Sequence, residues 1–114
     1  MTGFTKKPKK AVFGIITDFT DPDLTNFLRA LITSYGGMEY ADTKCNYACS
    51  DHGSWTRAGY RAAMPFEGEF KDSSPFIHSK SDTVENVDFN HMSQFVSIAV
   101  SFAVELGNQA YEDM

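Results

Sequence analysis

The sequence predicts an α/β fold in which helices pack against a sheet. Short apolar runs rich in β-branched and aromatic residues alternate with longer segments whose apolar residues recur at helical spacing, in the order strand, helix, strand, helix, strand, helix. At 114 residues, 42% of them hydrophobic, the chain can bury one modest core. Its formal net charge of -5 disfavours attraction to nucleic acid or to an anionic membrane, so we expect neither as a partner.

The first strand and the first helix have the clearest signals in the chain. Residues 11–16 form an apolar run that is typical of a strand buried on both faces. Asp21 is placed to cap a helix whose first position is Pro22, and the Gly36-Gly37 pair marks its end. The apolar residues of this helix at helical spacing are Leu24, Phe27, Leu28, Leu31 and Ile32.

Two further strands and a short helix are predicted in the middle of the chain. Residues 38–41 and 60–66 are apolar enough for strands, and residues 51–58 fit a short helix between them. We expect Trp55 to pack this helix onto the sheet. Pro65 has no backbone N–H to donate, so the far end of the third strand should leave the hydrogen-bonded ladder.

The last part of the chain is predicted to be a long polar loop followed by a core-packing helix. The loop covers residues 67–88, and loops of this length inside compact domains tend to be functional. Glu67 and Glu69 would point to opposite faces of an extended strand, so we expect solvated acids and not a catalytic pair. Asp88 is placed to cap the helix, and His91 in its first turn should face solvent. The predicted core face of the helix comprises Phe89, Met92, Phe95, Val96, Ala99, Phe102, Ala103 and Leu106.

The two cysteines of the chain lie close together in the sequence. Cys45 and Cys49 could form a structural disulfide, contribute half of a zinc site, or act as a redox pair. Zinc would need further ligands at matching spacing, and redox motifs more often have two intervening residues. The sequence alone leaves all three interpretations open.

Three short segments carry a resemblance to a known enzyme family. They are CNYACSDHGSW at residues 45–55, GYRAAMPFE at residues 59–67 and IHSKSDT at residues 77–83. In this order and at about this spacing, they resemble segments of the secreted bacterial leucyl aminopeptidases, which are two-zinc exopeptidases. The resemblance also favours a structural disulfide between Cys45 and Cys49.

The resemblance implies a specific fold, activity and location. The fold would be part of a three-layer αβα zinc-exopeptidase domain, a mixed sheet flanked by helices, with the N-terminal half missing. Residues 1–114 would be the C-terminal part of a single catalytic domain. The parent enzyme would release apolar N-terminal residues such as leucine from peptide substrates. It would be secreted or periplasmic, although this chain contains no signal peptide. Most metal ligands lie in the missing half, so we expect the isolated chain to be inactive.

The resemblance also assigns roles to individual residues. As a lone histidine, His78 would more often be a surface residue than a ligand. The family motif instead implies that His78 binds one of the two zinc ions of the parent enzyme. This chain would then supply at most one zinc ligand. Tyr47 would hydrogen-bond to the substrate or to the developing oxyanion. The residues expected to line the pocket for the substrate's N-terminal side chain are Ile16, Tyr47, Met64, Phe66, Phe70 and Ile77.

Two alternatives belong to other functional classes. The chain could be a non-catalytic α/β interaction module derived from this family. Its exposed sheet edge would then need covering, by self-association or by a partner. A small thiol-redox protein built on the two cysteines is the more distant alternative.

Overall fold

The computed structural model describes residues 1–6 and 8–109, and it has the predicted α/β architecture. Its described part contains a mixed sheet of three strands in the order β2-β1-β3, with β1 parallel to β2 and antiparallel to β3. The elements in chain order are β1 (Phe13–Ile16), α1 (Pro22–Tyr35), β2 (Tyr40–Thr43), α2 (Asp51–Arg57), β3 (Met64–Phe66) and α3 (Phe89–Gly107). No described helix is both long enough and apolar enough to cross a bilayer.

Strand β1 is buried along its whole length and divides the apolar interior into two clusters. Successive side chains of a strand point to opposite faces. Phe13 and Ile15 therefore pack against the helices, and the ring of Phe13 meets that of Phe95 edge-on at a centroid distance of 4.8 Å. Ile16 lies in the other cluster. We call the first cluster the helix-side core: Phe13, Ile15, Leu28, Ile32, Phe95 and Ile98. The second is the loop-side cluster: Ile16, Cys45, Cys49 and Phe66.

Gly14 allows the chain after β3 to cross closely over β1. A Cβ atom at this position would collide with the carbonyl oxygen of Gly68. A glycine is therefore required where the backbone of one segment lies directly on that of another. The crossing fixes where the long loop after β3 begins.

Helix α1 begins and ends as predicted. The Asp21 carboxylate accepts a hydrogen bond of 2.8 Å from the N–H of Leu24, and Pro22 occupies the first helical position. Gly36 caps the C-terminus, and Gly37 has a φ of 73°, which glycine adopts without strain. Local signals were sufficient here because caps act within a few residues of one another.

All three strands differ from their predicted bounds, and β1 begins at Phe13, two residues later than expected. β2 starts two residues later than expected, because the N–H of Phe13 bonds to Glu39 O and sets the register in which Phe13 pairs with Tyr40. β3 is shorter than expected. The N–H of Tyr60 bonds to Trp55 O, so the residues that follow α2 form a turn and do not extend the sheet. Pro65 pairs with Ile15 within β3, which is an edge strand of this sheet, where a missing N–H is tolerated.

The buried face of α3 is not the predicted one. Phe95 is part of the predicted face and is buried. The other buried residues of the helix, His91 and Ile98, are not part of the predicted face. Phe89 is 65% exposed and Val96 is 59% exposed. Apolar residues occupy almost the whole circumference of α3, so their spacing could not select one face. The outward stripe, which we call the valine stripe, consists of Phe89, Val96, Val100 and Val104.

Trp55 is not a core residue, contrary to the prediction. It is 57% exposed, and its ring meets that of Tyr60 edge-on at 5.5 Å. The buried positions of α2 are His52 and Gly53. Two helical residues after Gly53, the side chain of Trp55 points away from that face, because each residue turns the helix by about 100°.

Candidate functional site

The candidate site lies at the carboxyl ends of the parallel strands β1 and β2. The N–H of Thr17 bonds to Thr43 O at 3.0 Å, which keeps the two strand ends together. Ligands of open α/β sheets bind outside the carboxyl ends of the strands. The loop that contains Cys45 and Cys49 leaves β2 at this edge, and the loop-side cluster lies directly below it.

The two cysteines form a disulfide, as the structural interpretation predicted. Cys45 and Cys49 have a Cα–Cα distance of 6.1 Å, and each is 3% exposed. Both sulfur atoms pack into the loop-side cluster beside Ile16 and Phe66. The bridge therefore closes the loop and also contributes apolar surface to the site.

Asp18 anchors the disulfide loop from the end of β1. Its Oδ1 accepts from the N–H of Cys45 at 3.3 Å, and its Oδ2 accepts from the N–H of Asn46 at 2.7 Å. Sequence analysis missed this contact, which joins residues 27 and 28 positions apart. An aspartate directly after a buried strand was the available signal, but nothing in the sequence indicated its partners.

Most of the predicted pocket residues come together in the structure. Ile16 and Phe66 are fully buried, and Met64 and Phe70 pack against them. Tyr47 is 44% exposed and lies at the surface of this group, with its ring edge-on to that of Phe70 at 6.3 Å. Met1 also packs against the loop-side cluster, a contact that sequence analysis did not assign. The result is an apolar wall with one phenol at its rim.

Phe70 is held in this wall by a hydrogen bond and by a ring contact. Its N–H donates to Thr43 Oγ1 at 2.9 Å, which ties the loop after β3 to the end of β2. Its ring lies 5.8 Å from that of Phe66. Thr43 is thus a second polar residue that shapes the apolar wall.

Ile77 and His78 lie in the long loop, outside the loop-side cluster. Ile77 is half-buried, and His78 is exposed with a φ of 61°. Within residues 1–6 and 8–109, no group of three or more His, Cys, Asp or Glu residues could hold a metal ion. Zinc in proteins takes three or four protein ligands. The described residues by themselves therefore do not fit a zinc site.

Glu67 is buried, which corrects the expectation of a solvated loop acid. It is 5% exposed, and its carboxylate accepts from the N–H of Phe4 at 3.1 Å and from that of Ser74 at 2.9 Å. The N-terminal segment and the long loop are therefore joined through one side chain. Glu69 is partly exposed and lies 3.9 Å from Lys71 Nζ, in line with the solvated role expected for it.

His91 is also buried, contrary to the prediction that it faces solvent. It is 4% exposed, and its Nε2 donates to Glu67 O at 2.7 Å. Its ring meets that of Phe95 edge-on at 5.3 Å. His91 thus links the start of α3 to the beginning of the long loop, which explains why the helix turns this side inward.

His52 is a buried histidine beside the site whose ring nitrogens have no hydrogen-bond partner. Burial lowers its pKa, while the Asp18 charge, the Asp18 backbone and the Asp51 charge act in the opposite direction. His52 therefore lies on the buried face of α2, where burial favours its neutral form.

The apolar groove beside α3 is separate from the candidate site. It has a volume of about 490 Å³ and is lined by Leu28, Ala63, Val96 and Phe102 among others. None of its lining residues is a predicted site residue.

Comparisons with known proteins place this geometry in a family. The sequence profile of peptidase family M28 matches residues 1–103. The chain is 43% identical over 108 residues to a probable aminopeptidase of Saccharomyces cerevisiae, covering 95% of this chain and 29% of that protein. It is 46% identical over 110 residues to leucine aminopeptidase 1 of Ajellomyces capsulatus, covering 93% of this chain and 29% of the other.

A solved structure supports the same assignment. The fold matches the LapA aminopeptidase of Legionella pneumophila with a TM-score of 0.90 and 38% sequence identity, over 96% of this chain and 30% of LapA. The chain thus spans less than a third of the length of these relatives. Its mixed sheet with flanking helices is the fold of the matching part of LapA. On sequence and fold together, the chain belongs to peptidase family M28.

Proposed function

We propose that this chain supplies the wall of the substrate pocket in an aminopeptidase domain that releases apolar N-terminal residues, such as leucine, from peptides. The observation that carries the proposal is the apolar wall at the carboxyl edge of the sheet, where the half-buried Met64 and Phe70 pack against the fully buried Ile16 and Phe66. Burying a leucine side chain against such a wall is worth about 1.5–3 kcal/mol. Membership of family M28 and the names of the relatives support the reaction class.

Tyr47 is proposed to contact the polar part of the substrate. Its ring packs on Phe70, and its exposed hydroxyl lies at the rim of the apolar wall. A phenol can donate a hydrogen bond to a carbonyl oxygen or to the oxyanion that forms from it. Ile77 is proposed to complete the wall from the long loop.

His78 is proposed as one zinc ligand of the complete domain. Its imidazole is exposed and therefore available to a metal held mainly by other residues. Because the described residues do not form a zinc site, we expect the isolated chain to be inactive. The proposal includes the finer assignment to bacterial, secreted or periplasmic enzymes, and the disulfide supports an oxidising location.

A chimera tests the function directly. The matched segment of the Saccharomyces cerevisiae relative would be replaced by this chain, and hydrolysis of a leucine anilide would be measured with added zinc. We expect activity that His78→Ala abolishes and that Phe70→Ala weakens, mainly by raising KM. A folded chimera that binds zinc but hydrolyses no aminoacyl anilide would refute the proposed function.

The isolated chain provides the matching control. Purified and incubated with zinc, it should hydrolyse no leucine anilide. Zinc-dependent turnover that is lost in His78→Ala would show instead that the chain builds a complete metal site by itself.

The alternative function is a non-catalytic interaction module. The observation that favours it is the valine stripe, because Val96, Val100 and Val104 are each more than half exposed on one side of α3. Such a surface, like an uncovered sheet edge, could be covered by a second copy of the chain. Sedimentation equilibrium distinguishes the two: a dimer that Val100→Glu dissociates would support the module, and a monomer at all concentrations would argue against it.

A further inference from the structure

We propose that Asp18 is a positioning residue that fixes the disulfide loop and, through it, the direction of Tyr47. The purpose of this positioning depends on the proposed function, in which Tyr47 contacts the substrate. The positioning itself depends only on contacts within the chain. No functional role for Asp18 was evident from the sequence.

The two oxygens of Asp18 have separate tasks. Oδ2 accepts from the N–H of Asn46 at 2.7 Å, and Oδ1 accepts from the N–H of Cys45 at 3.3 Å. A carboxylate is well suited to this role because both of its oxygens accept hydrogen bonds, and bonds to a charged acceptor are stronger than neutral ones. An amide of the same shape would offer one acceptor and would turn a donor toward the second N–H.

The loop needs such an anchor because of its backbone conformation. Asn46 has a φ of 67°, in the left-handed region that residues other than glycine rarely occupy. This conformation persists where surrounding contacts hold it. Asp18 supplies these contacts at Asn46 itself and at the residue before it, in the turn that brings Cys45 within bonding distance of Cys49.

Tyr47 follows Asn46 directly, so its direction depends on the same anchor. On its other side its ring meets that of Phe70, which Thr43 holds through a hydrogen bond of 2.9 Å. Tyr47 is therefore placed between two fixed points, one at the end of β1 and one at the end of β2. If Asp18 no longer holds the loop, the ring contact with Phe70 should be lost even though the sheet remains intact.

The test uses the 114-residue chain and two measurements that need no hydrolysis. The first is the equilibrium between the Cys45–Cys49 disulfide and dithiothreitol. The second is the proton NMR contact between the rings of Tyr47 and Phe70. In Asp18→Asn we expect the disulfide to be reduced about tenfold more easily, equivalent to about 30 mV, and the ring contact to disappear. Asp51→Asn is the matched control, since it removes the same charge from an exposed residue near His52 and should leave both values unchanged.

A second variant separates positioning from a general loss of stability. Glycine adopts positive φ without strain, so Asn46→Gly in the Asp18→Asn background should restore much of the disulfide equilibrium. This double variant also replaces the single one if Asp18→Asn does not fold. The proposal is overturned if folded Asp18→Asn keeps the disulfide equilibrium and the ring contact within twofold of the unmodified chain. It is also overturned if the double variant has the same disulfide equilibrium as Asp18→Asn. A failed leucine anilide assay in the chimera would refute the proposed function and leave these measurements unaffected.

Discussion

The helix-side core and the loop-side cluster share one strand but are built in different ways. In the helix-side core, Phe13 and Ile15 of β1 meet side chains from α1 and α3, helices whose interior backbone hydrogen bonds lie within each element. In the loop-side cluster, Ile16 meets residues from a disulfide loop and from β3. The first cluster is held by apolar packing between regular elements.

The second cluster depends on polar side chains that are not part of its apolar surface. Asp18 holds the disulfide loop, Thr43 holds Phe70, and Glu67 joins the N-terminal segment to the long loop. Each of these side chains accepts from a backbone N–H. The comparison teaches that hydrogen bonds to loops determine the shape of an apolar pocket, whereas packing determines the stability of the fold.

The largest expected effect is in the helix-side core. Phe13→Ala should lower the free energy of unfolding by about 3–5 kcal/mol, because it removes a fully buried ring and leaves a cavity. Val96→Ala, on the exposed side of α3, should change it by less than about 0.5 kcal/mol. Urea unfolding of both variants is the measurement. Equal effects would show that the helix-side core contributes no more to stability than the exposed side of α3.

A methyl group added at Gly14, where the chain after β3 crosses closely over β1, should have the next largest effect. Gly14→Ala should lower the free energy of unfolding by about 1–3 kcal/mol, because the new Cβ displaces the backbone of Gly68. Gly68→Ala is the control at the same crossing, since its Cβ would point into open space. Thermal unfolding compares them, and similar melting temperatures would contradict the close crossing.

Removing the disulfide should have a smaller effect that is confined to the loop side. Replacing Cys45 and Cys49 together by Ala should lower the free energy of unfolding by about 2 kcal/mol. The effect is modest because a disulfide that closes a short loop removes little entropy from the unfolded chain. Hydrogen exchange should speed up at Asn46 and Tyr47 and stay slow in α1. Faster exchange throughout α1 would mean that the two clusters unfold as one unit.

The smallest effect is expected from pH. Burial holds the pKa of His52 below its usual 6.5 in the folded chain, so the unfolded chain takes up the proton first as pH falls. This contribution to stability is intact above pH 6.5 and is lost as the pH drops below that value. His52→Leu should flatten the dependence of urea midpoints on pH between about 7 and 5, a range chosen above the usual carboxylate pKa values. An unchanged slope in His52→Leu would rule out this origin.

The sequence was sufficient where a structural signal is local. The boundaries of α1 follow from Asp21 and Gly36, and β1 follows from an uninterrupted apolar run. Met64 and Phe66 were expected beside the cysteine loop because they lie in segments that resemble a known family, whereas Ile16 and Phe70 lie outside those segments. These predictions needed only contacts between near neighbours or a recognised pattern.

The sequence was insufficient where partners lie far apart or where a pattern is ambiguous. Glu67 and His91 were expected in solvent, yet the hydrogen bond from His91 Nε2 to Glu67 O spans 24 positions. Trp55 was expected to pack α2 onto the sheet, although α2 turns a histidine and a glycine inward. An acid or an imidazole becomes an interior residue only when backbone groups from other segments surround it, and spacing does not reveal those groups.

The alternation along β1 also limits how the gene can change. Ile15 and Ile16 are identical in chemistry and adjacent in sequence, yet one belongs to the helix-side core and the other to the loop-side cluster. Inserting a single codon between them would exchange the faces of every later residue of the strand. Substitutions between these two aliphatic residues and others of similar volume are tolerable, but insertions and deletions are not. Length variation in this part of the chain should therefore be confined to the connections between elements, and β1 should keep a fixed number of residues.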